Sequence, residues 1–162
     1  MSTPGTTLTS HQVNPANDTL TITVTDEPGS GGANHRYDIG GFQLGANPSS
    51  GRAHQSWMQA KAYLEGCGNN PELKMHYERM VNEQNTLTII FQNGPIPEFG
   101  VNGITHEALL AILIDRLEGF QAGPFANVYN GAALENLQFA QELLLSRTRE
   151  RMARGVEGTH AK

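Results

Sequence analysis

The chain has a single cysteine, Cys67, so no disulfide can close within it, and a reducing compartment is expected. Aromatic residues are sparse at 7%, and the hydrophobic share of 38% suits only a modest core. Cations are few: 11 Lys and Arg against 16 Asp and Glu give a net charge of -5. A general nucleic-acid binder needs a broad basic surface, so DNA is not an expected partner. No apolar run approaches the length of a membrane span, and no membrane partner is expected. The N-terminal residues show neither the cationic nor the apolar region of a secretory signal, so the expected location is the cytoplasm. His11, His35, His54, His76, His106 and His160 are scattered, without the close pairing that metal ligands show. Neither a metal nor a cofactor is expected. Cys67, between Gly66 and Gly68, has no local histidine or cation to activate it and reads as an ordinary loop thiol.

The cations that are present are concentrated. Arg147, Arg149, Arg151 and Arg154 fall close together, and with Lys162 they place five of the eleven cations in the last sixteen residues. They run into Gly155-Val156-Glu157-Gly158-Thr159. Guanidinium groups can grip phosphate oxygens two at a time. Glycines let backbone N–H groups come close to an anion. Localised positive charge on an acidic chain fits a small anionic ligand better than a duplex.

Along the chain, residues 1–17 are polar and without periodicity, and read as a flexible N-terminal arm. Leu20, Ile22 and Val24 alternate with threonines, the period-two pattern of a half-buried strand. A glycine-rich turn follows and His35 to Phe42 returns, so residues 19–42 predict a β-hairpin. Two short helices are expected over 53–65 and 72–82, within an insertion at 45–83, and Leu87 to Phe91 predicts a further strand. Thr105 caps a helix that runs to about Gln121. Pro124 suits the first position of a second helix reaching about Arg154 and stopping at Gly155. The expected fold class is α+β: a small antiparallel sheet packed with a long C-terminal helical hairpin over 105–154. Residues 18–162 then form a single domain.

On the second helix, Asn130, Ala133, Leu137, Ala140, Leu144, Arg147, Arg151 and Arg154 share one face. Two readings are open. The arginines can be a solvated last turn that complements the helix dipole. Alternatively the packed face opens into a pocket that Arg147 and Arg151 enter.

Several runs carry a family resemblance. They are His35-Arg36-Tyr37-Asp38-Ile39, Phe91-Gln92-Asn93-Gly94-Pro95, Gly100-Val101-Asn102-Gly103-Ile104-Thr105, the stretch from Glu107 to Phe125, and Arg147-Thr148-Arg149-Glu150-Arg151 through Thr159. Together they resemble the Thoeris anti-defence protein 1 family, over roughly residues 19–42 and 86–160. The resemblance implies a phage-encoded sponge that sequesters cyclic ADP-ribose isomers made by TIR-domain immune enzymes without cleaving them, in the cytoplasm of the infected host. It also implies a ligand site of Phe120, Asn130, Arg147 and Arg151, lined by Arg154, Gly155, Val156, Glu157, Gly158 and Thr159. The hairpin is similar to that of the phage anti-CBASS protein 2, so cyclic di- or trinucleotides are a second ligand class. A homo-oligomer, dimer or hexamer, joined through the hairpin is expected. Residues 45–83 are long against the brief loop the family has there.

The chemistry fits such a ligand: Phe120 can stack a base, Asn130 can bond a base edge or ribose hydroxyl, and the arginines can neutralise a pyrophosphate. Phe120 and Asn130 flank the hairpin turn, whereas Arg147 and Arg151 lie more than about 20 Å further along the helix at its usual rise. If the four share a site, it lies between subunits packed antiparallel. Asn93-Gly94-Pro95 and Asn102-Gly103 read first as turns, and Gly100 to Gly103 either caps the following helix or presents N–H groups to phosphate. His106 and Glu107 offer the one acid–base pair an enzyme that hydrolyses such nucleotides could use. A structural or assembly protein with a basic tail is the remaining class.

Overall fold

The computed structural model describes residues 2–14, 18–66, 70–157 and 159. They form an α+β fold in two compact units, where the sequence reading has one domain over 18–162. Ser2–Asp26 with Arg36–Ile89 make one unit, and Glu27–His35 with Ile90–Lys162 make the other.

The first unit is built on a sheet. Strands β1 (Thr7–Leu8), β2 (Thr21–Val24), β3 (Arg36–Phe42) and β4 (Asn85–Ile90) lie side by side in that order. β2 and β3 pair antiparallel with Ile22 opposite Ile39 and Val24 opposite Tyr37. The alternation in β2 turns Val24 fully inward. The β3 end needs glycine: Gly41 has φ +81°, and a Cβ there would lie 1.8 Å from the Thr19 carbonyl oxygen. The Thr88 hydroxyl donates to Asp38 at 2.7 Å, tying β4 to β3. Within the expected flexible arm, the described residues 2–14 include a pairing with the sheet. Thr7 and Leu8 pair with Thr23 and Ile22, and a His11 ring nitrogen lies 3.1 Å from the Leu20 carbonyl. Two residues of pairing leave no periodic signal in the sequence.

The 45–83 segment supplies helices α1 (Arg52–Glu65) and α2 (Pro71–Asn82), close to the expected bounds. Asn70 caps α2, its side-chain oxygen accepting the N–H groups of Glu72 and Leu73, with Pro71 in the first turn. The two helices run antiparallel. The Trp57 indole donates to the Val81 carbonyl at 3.2 Å, and the Tyr63 and Tyr77 rings sit 4.3 Å apart. Ala60 is fully buried. Cys67 lies outside the described residues.

The second unit holds the helical hairpin. It opens with a single parallel pairing of Phe91 with Ile104, and the Phe91 N–H donates to the His35 carbonyl at 2.7 Å. Side-chain amides knit the intervening loop. Asn102 donates to the Asn93 carbonyl at 2.8 Å and accepts from the Asn93 N–H at 2.9 Å. The short helix α3 (Ile96–Phe99) sits inside this loop. α4 (His106–Ala122) begins where the Thr105 hydroxyl accepts the Ala108 N–H, as its sequence indicates.

α5 (Val128–Ala153) starts four residues later than Pro124 suggests. The Ala126 N–H bonds the Gly123 carbonyl at 3.3 Å, so Pro124 occupies the second position of a tight turn, where its fixed φ is equally suited. Asn127 caps the helix instead, accepting the Asn130 N–H at 2.9 Å. Gln121 locks the corner by accepting the Asn127 N–H at 2.9 Å. No helix among the described residues is long and apolar enough to cross a membrane.

Candidate functional site

The expected site residues fall into two clusters at opposite ends of α5. At the turn end, Phe120 closes α4 half-buried. Its ring meets the Phe125 ring edge to face, 6.5 Å between centroids and at 89°. The Arg116 guanidinium stands over the Phe120 ring at 5.0 Å. This cation–π contact is worth about 0.5–1 kcal/mol at an exposed site and sets a positive charge beside the aromatic face. Arg116 is absent from the sequence-derived set, although its i, i+4 spacing from Phe120 was a readable signal. Asn130, half-buried in the first turn of α5, spends its N–H on the Asn127 cap.

At the tail end, the last turn of α5 closes in a Schellman motif. The Gly155 N–H bonds the Met152 carbonyl at 2.9 Å, and the Val156 N–H bonds the Arg151 carbonyl at 3.0 Å. Gly155 sits at φ +68°, the left-handed conformation that this turn requires. Arg151 then gathers the segment beyond. Its Nε donates to a Glu157 carboxylate oxygen at 2.8 Å, and one terminal nitrogen donates to the Val156 carbonyl at 2.9 Å and the Thr159 carbonyl at 3.0 Å. The side chain is only 15% exposed. The Thr159 hydroxyl donates to the Val156 carbonyl at 2.7 Å. Arg151, Val156, Glu157 and Thr159 are therefore one assembly. Gly158 lies outside the described residues.

Arg147 and Arg154 stand exposed on the surface of this end. The half-buried stripe of α5 runs through Leu134, Leu137, Gln141, Leu144 and Thr148. It passes beside the expected positions Ala133 and Arg147, which face outward. Arg147 thus carries its charge into solvent rather than along the packed seam. Arg149 turns away as expected and bonds Glu142 at 2.6 Å. That bond and the charge of Arg149, with a smaller share from the Ser146 hydroxyl, hold the Glu142 carboxyl below the ordinary glutamate range.

One hairpin does not bring the two clusters together. Asn130 and Arg151 are 21 positions apart on a continuous helix, about 31 Å at 1.5 Å per residue. The Gln141 side chain reaches the Glu107 carbonyl at 3.3 Å, which sets the start of α4 level with Gln141. Residues 142–153 continue about 18 Å past that level at the same rise. Along the helix between the clusters, the side opposite the half-buried stripe carries exposed apolar residues among the glutamates Glu135, Glu142 and Glu150. Val128, Phe139 and Leu143 share it and are 78%, 65% and 57% exposed.

The other groups named from sequence have local roles. The His106 ring stacks on Phe91 at 5.1 Å, and Glu107 offers its carbonyl to Gln141. Among the described residues no group of three or more His, Cys, Asp or Glu is placed to hold a metal ion.

The family model of the Acb2/Tad1 hairpin domain matches residues 83–148. A curated relative, Thoeris anti-defense 1 of Bacillus phage SBSphiJ7, is 47% identical over 75 residues. That alignment takes in 46% of this chain and 53% of the relative, about half the length of each. The domain match includes Phe120, Asn130 and Arg147 and ends before Arg151 and the glycine-bracketed tail. The matched span takes in β4, the loop after it, α4 and most of α5, so residues 83–148 of this chain are similar to the Acb2/Tad1 hairpin domain.

Proposed function

We propose that this protein is a phage anti-defence sponge that binds and sequesters cyclic ADP-ribose isomers without cleaving them, and so blocks Thoeris signalling in the host cytoplasm. The observation that carries the reading is the division of α5. One end offers an aromatic face and an amide, the other a cationic, carbonyl-rich tail, about 31 Å away by helix rise. A cyclic ADP-ribose isomer carries the matching pair, a base with its riboses and a pyrophosphate. Phe120 stacks the base and Asn130 bonds its edge or a ribose hydroxyl. Arg147 and Arg151 meet the pyrophosphate, with Arg154 and Gly155 to Thr159 around it. The 47% identity to Thoeris anti-defense 1 of Bacillus phage SBSphiJ7 over 75 residues supports the anti-Thoeris role.

Such a site is completed between subunits, the turn of one hairpin against the tail of another. Phe139 and Leu143, large apolar side chains left exposed on the outer side of α5, are available to a subunit contact. A dimer satisfies this pairing, and a hexamer repeats it. The site holds its ligand with stacking and charge, and His106, the one candidate base, is engaged by Phe91.

A second reading, retention of cyclic di- or trinucleotides, is favoured by one observation: the matching hairpin domain is common to Acb2 and Tad1. Both ligand classes can occupy one oligomer. The test is heat release. The purified protein is incubated with cyclic ADP-ribose isomers and cyclic oligonucleotides, freed of unbound ligand, and boiled. Release of an intact ADP-ribose isomer supports the sponge. Release of cyclic oligonucleotides alone moves the site away from Phe120 and Arg151. Altered products make the protein an enzyme, and an empty retained fraction removes the sponge reading altogether.

A further inference from the structure

We propose that Glu157 sets the affinity and anion selectivity of the tail half-site: its carboxylate is the resident anion of Arg151, and a ligand phosphate is held only by displacing it. The inference rests on the proposed reading of the tail as the phosphate-binding half of the site.

A guanidinium grips an oxyanion best along one edge, with two parallel N–H groups. On Arg151 the Nε–H of such an edge meets Glu157 at 2.8 Å, and the neighbouring terminal nitrogen meets the carbonyls of Val156 and Thr159 at 2.9 and 3.0 Å. These partners differ in how firmly they are fixed. The Val156 carbonyl also accepts the Thr159 hydroxyl at 2.7 Å, and the Val156 N–H closes the Schellman turn onto the Arg151 carbonyl. Glu157 reaches Arg151 through a flexible side chain that is 39% exposed, against 15% for Arg151 itself. Of the three, it alone can leave while the turn stays folded. The Nε position it vacates is the one a phosphoryl oxygen takes.

An intramolecular carboxylate competes at high effective concentration. A chloride ion, an acetate or a single phosphate offers Arg151 little beyond what Glu157 already supplies. A pyrophosphate brings two phosphoryl groups, and the exposed Arg147 lies one turn before Arg151 on the same side of the helix. A pyrophosphate-bearing ligand therefore gains a second cation on displacing Glu157, and a monophosphate does not. Glu157 filters for pyrophosphate.

The test uses the full chain, wild type and Glu157→Gln, with inorganic pyrophosphate and inorganic phosphate as probes. It reads the Arg151 Nε–H resonance by nitrogen-15 NMR. Pyrophosphate is expected to shift that resonance in both proteins, and to bind the variant about two- to fivefold tighter, the scale on which a partly exposed ion pair competes. Phosphate binding is expected to tighten by a larger factor, because pyrophosphate can already hold to Arg147 while phosphate depends on Arg151 alone, so the preference for pyrophosphate narrows. An equal gain overturns the selectivity role. Unchanged or weaker pyrophosphate binding by the variant overturns the proposal, as does an Arg151 resonance that moves in neither protein. Loss of hydrogen-exchange protection at the Val156 N–H in the variant also overturns it, because Glu157 would then be a strut of the turn. Heat release tests the parent reading separately. Intact ADP-ribose isomer retained by wild type, with no tightening in the variant, sinks only the role of Glu157. Tightening with no cyclic signal retained sinks only the sponge.

Discussion

The two ends of α5 solve the same problem in opposite ways. Each end leaves backbone groups without helical partners. At the turn end the side chain of Asn127 supplies an acceptor, and the surroundings are aromatic: Phe120, Phe125 and the Arg116 guanidinium. At the tail end the backbone folds back on itself through Gly155, and Arg151 satisfies the carbonyls beyond. The first end presents flat π-surface and an amide. The second presents cationic density around a Schellman turn, with Arg151 largely covered and Arg147 and Arg154 exposed. On the proposed function, neither end alone is a complete site for a base joined to a pyrophosphate, and each would supply what the other lacks. A helix about 39 Å long by its rise keeps them apart within one chain.

The comparison breaks most visibly at the tail. Arg151→Ala should weaken retention of a cyclic ADP-ribose isomer by about 30-fold or more, since truncating one partner of a buried hydrogen-bonded charge pair costs about 2–5 kcal/mol. Equilibrium filtration measures the loss, and helix content by circular dichroism should stay unchanged. Phe120→Ala should cost about tenfold to 100-fold, the range for removing one base–aromatic stack. A smaller loss at Phe120 than at Arg151 would confirm that charge outweighs stacking in this site. The reverse order would place the ligand chiefly at the turn.

Asn127→Ala sharpens the contrast in capping. Losing a side-chain cap costs about 1 kcal/mol of stability. A thermal melt should register a fall of about 2–4 °C for a chain of this size.

The smallest effect lies between the ends, at the Arg149–Glu142 pair. The Glu142 carboxyl is held low by Arg149, so whatever stability the pair adds is present above the ordinary glutamate range and is lost as pH falls through the lowered value. Both side chains are exposed and the contribution is slight. In Arg149→Ala, an NMR titration should find Glu142 moved up toward the ordinary glutamate range, with little change in melting temperature.

Much of this was legible in the sequence, for reasons that can be stated residue by residue. Ile22 and Val24 alternate because one side of β2 faces a core, and Thr105 precedes an apolar helix because hydroxyls cap. Local chemistry of this kind is written in adjacent residues. Pro124 misled because two positions compete for it, the first turn of a helix and the second position of a tight turn, and Asn127 decides between them from three residues away. On α5 the expected positions Asn130, Leu137, Ala140, Leu144 and Arg151 are half-buried, whereas Ala133, Arg147 and Arg154 sit at the edge of the stripe and face outward. The tail was legible as cationic, yet the pairing of Arg151 with Glu157 was not. It forms across a glycine turn, where no helical or strand period links the two side chains. The cation over Phe120 was missed although its spacing was regular, because i, i+4 spacing alone does not tell a ring-stacked arginine from a solvated one.

The central claim is that a working site joins the turn of one subunit to the tail of another, and mixing two defective chains tests it most directly. Phe120→Ala and Arg151→Ala proteins, each unable to retain the ligand, are co-refolded so that their subunits exchange. A mixed pair has one site with both defects and one with neither. The account predicts that retention returns to about a quarter of wild-type capacity for random two-fold pairing. Retention that stays at the level of the separate variants, with exchange confirmed, would place Phe120 and Arg151 in different sites and contradict the account.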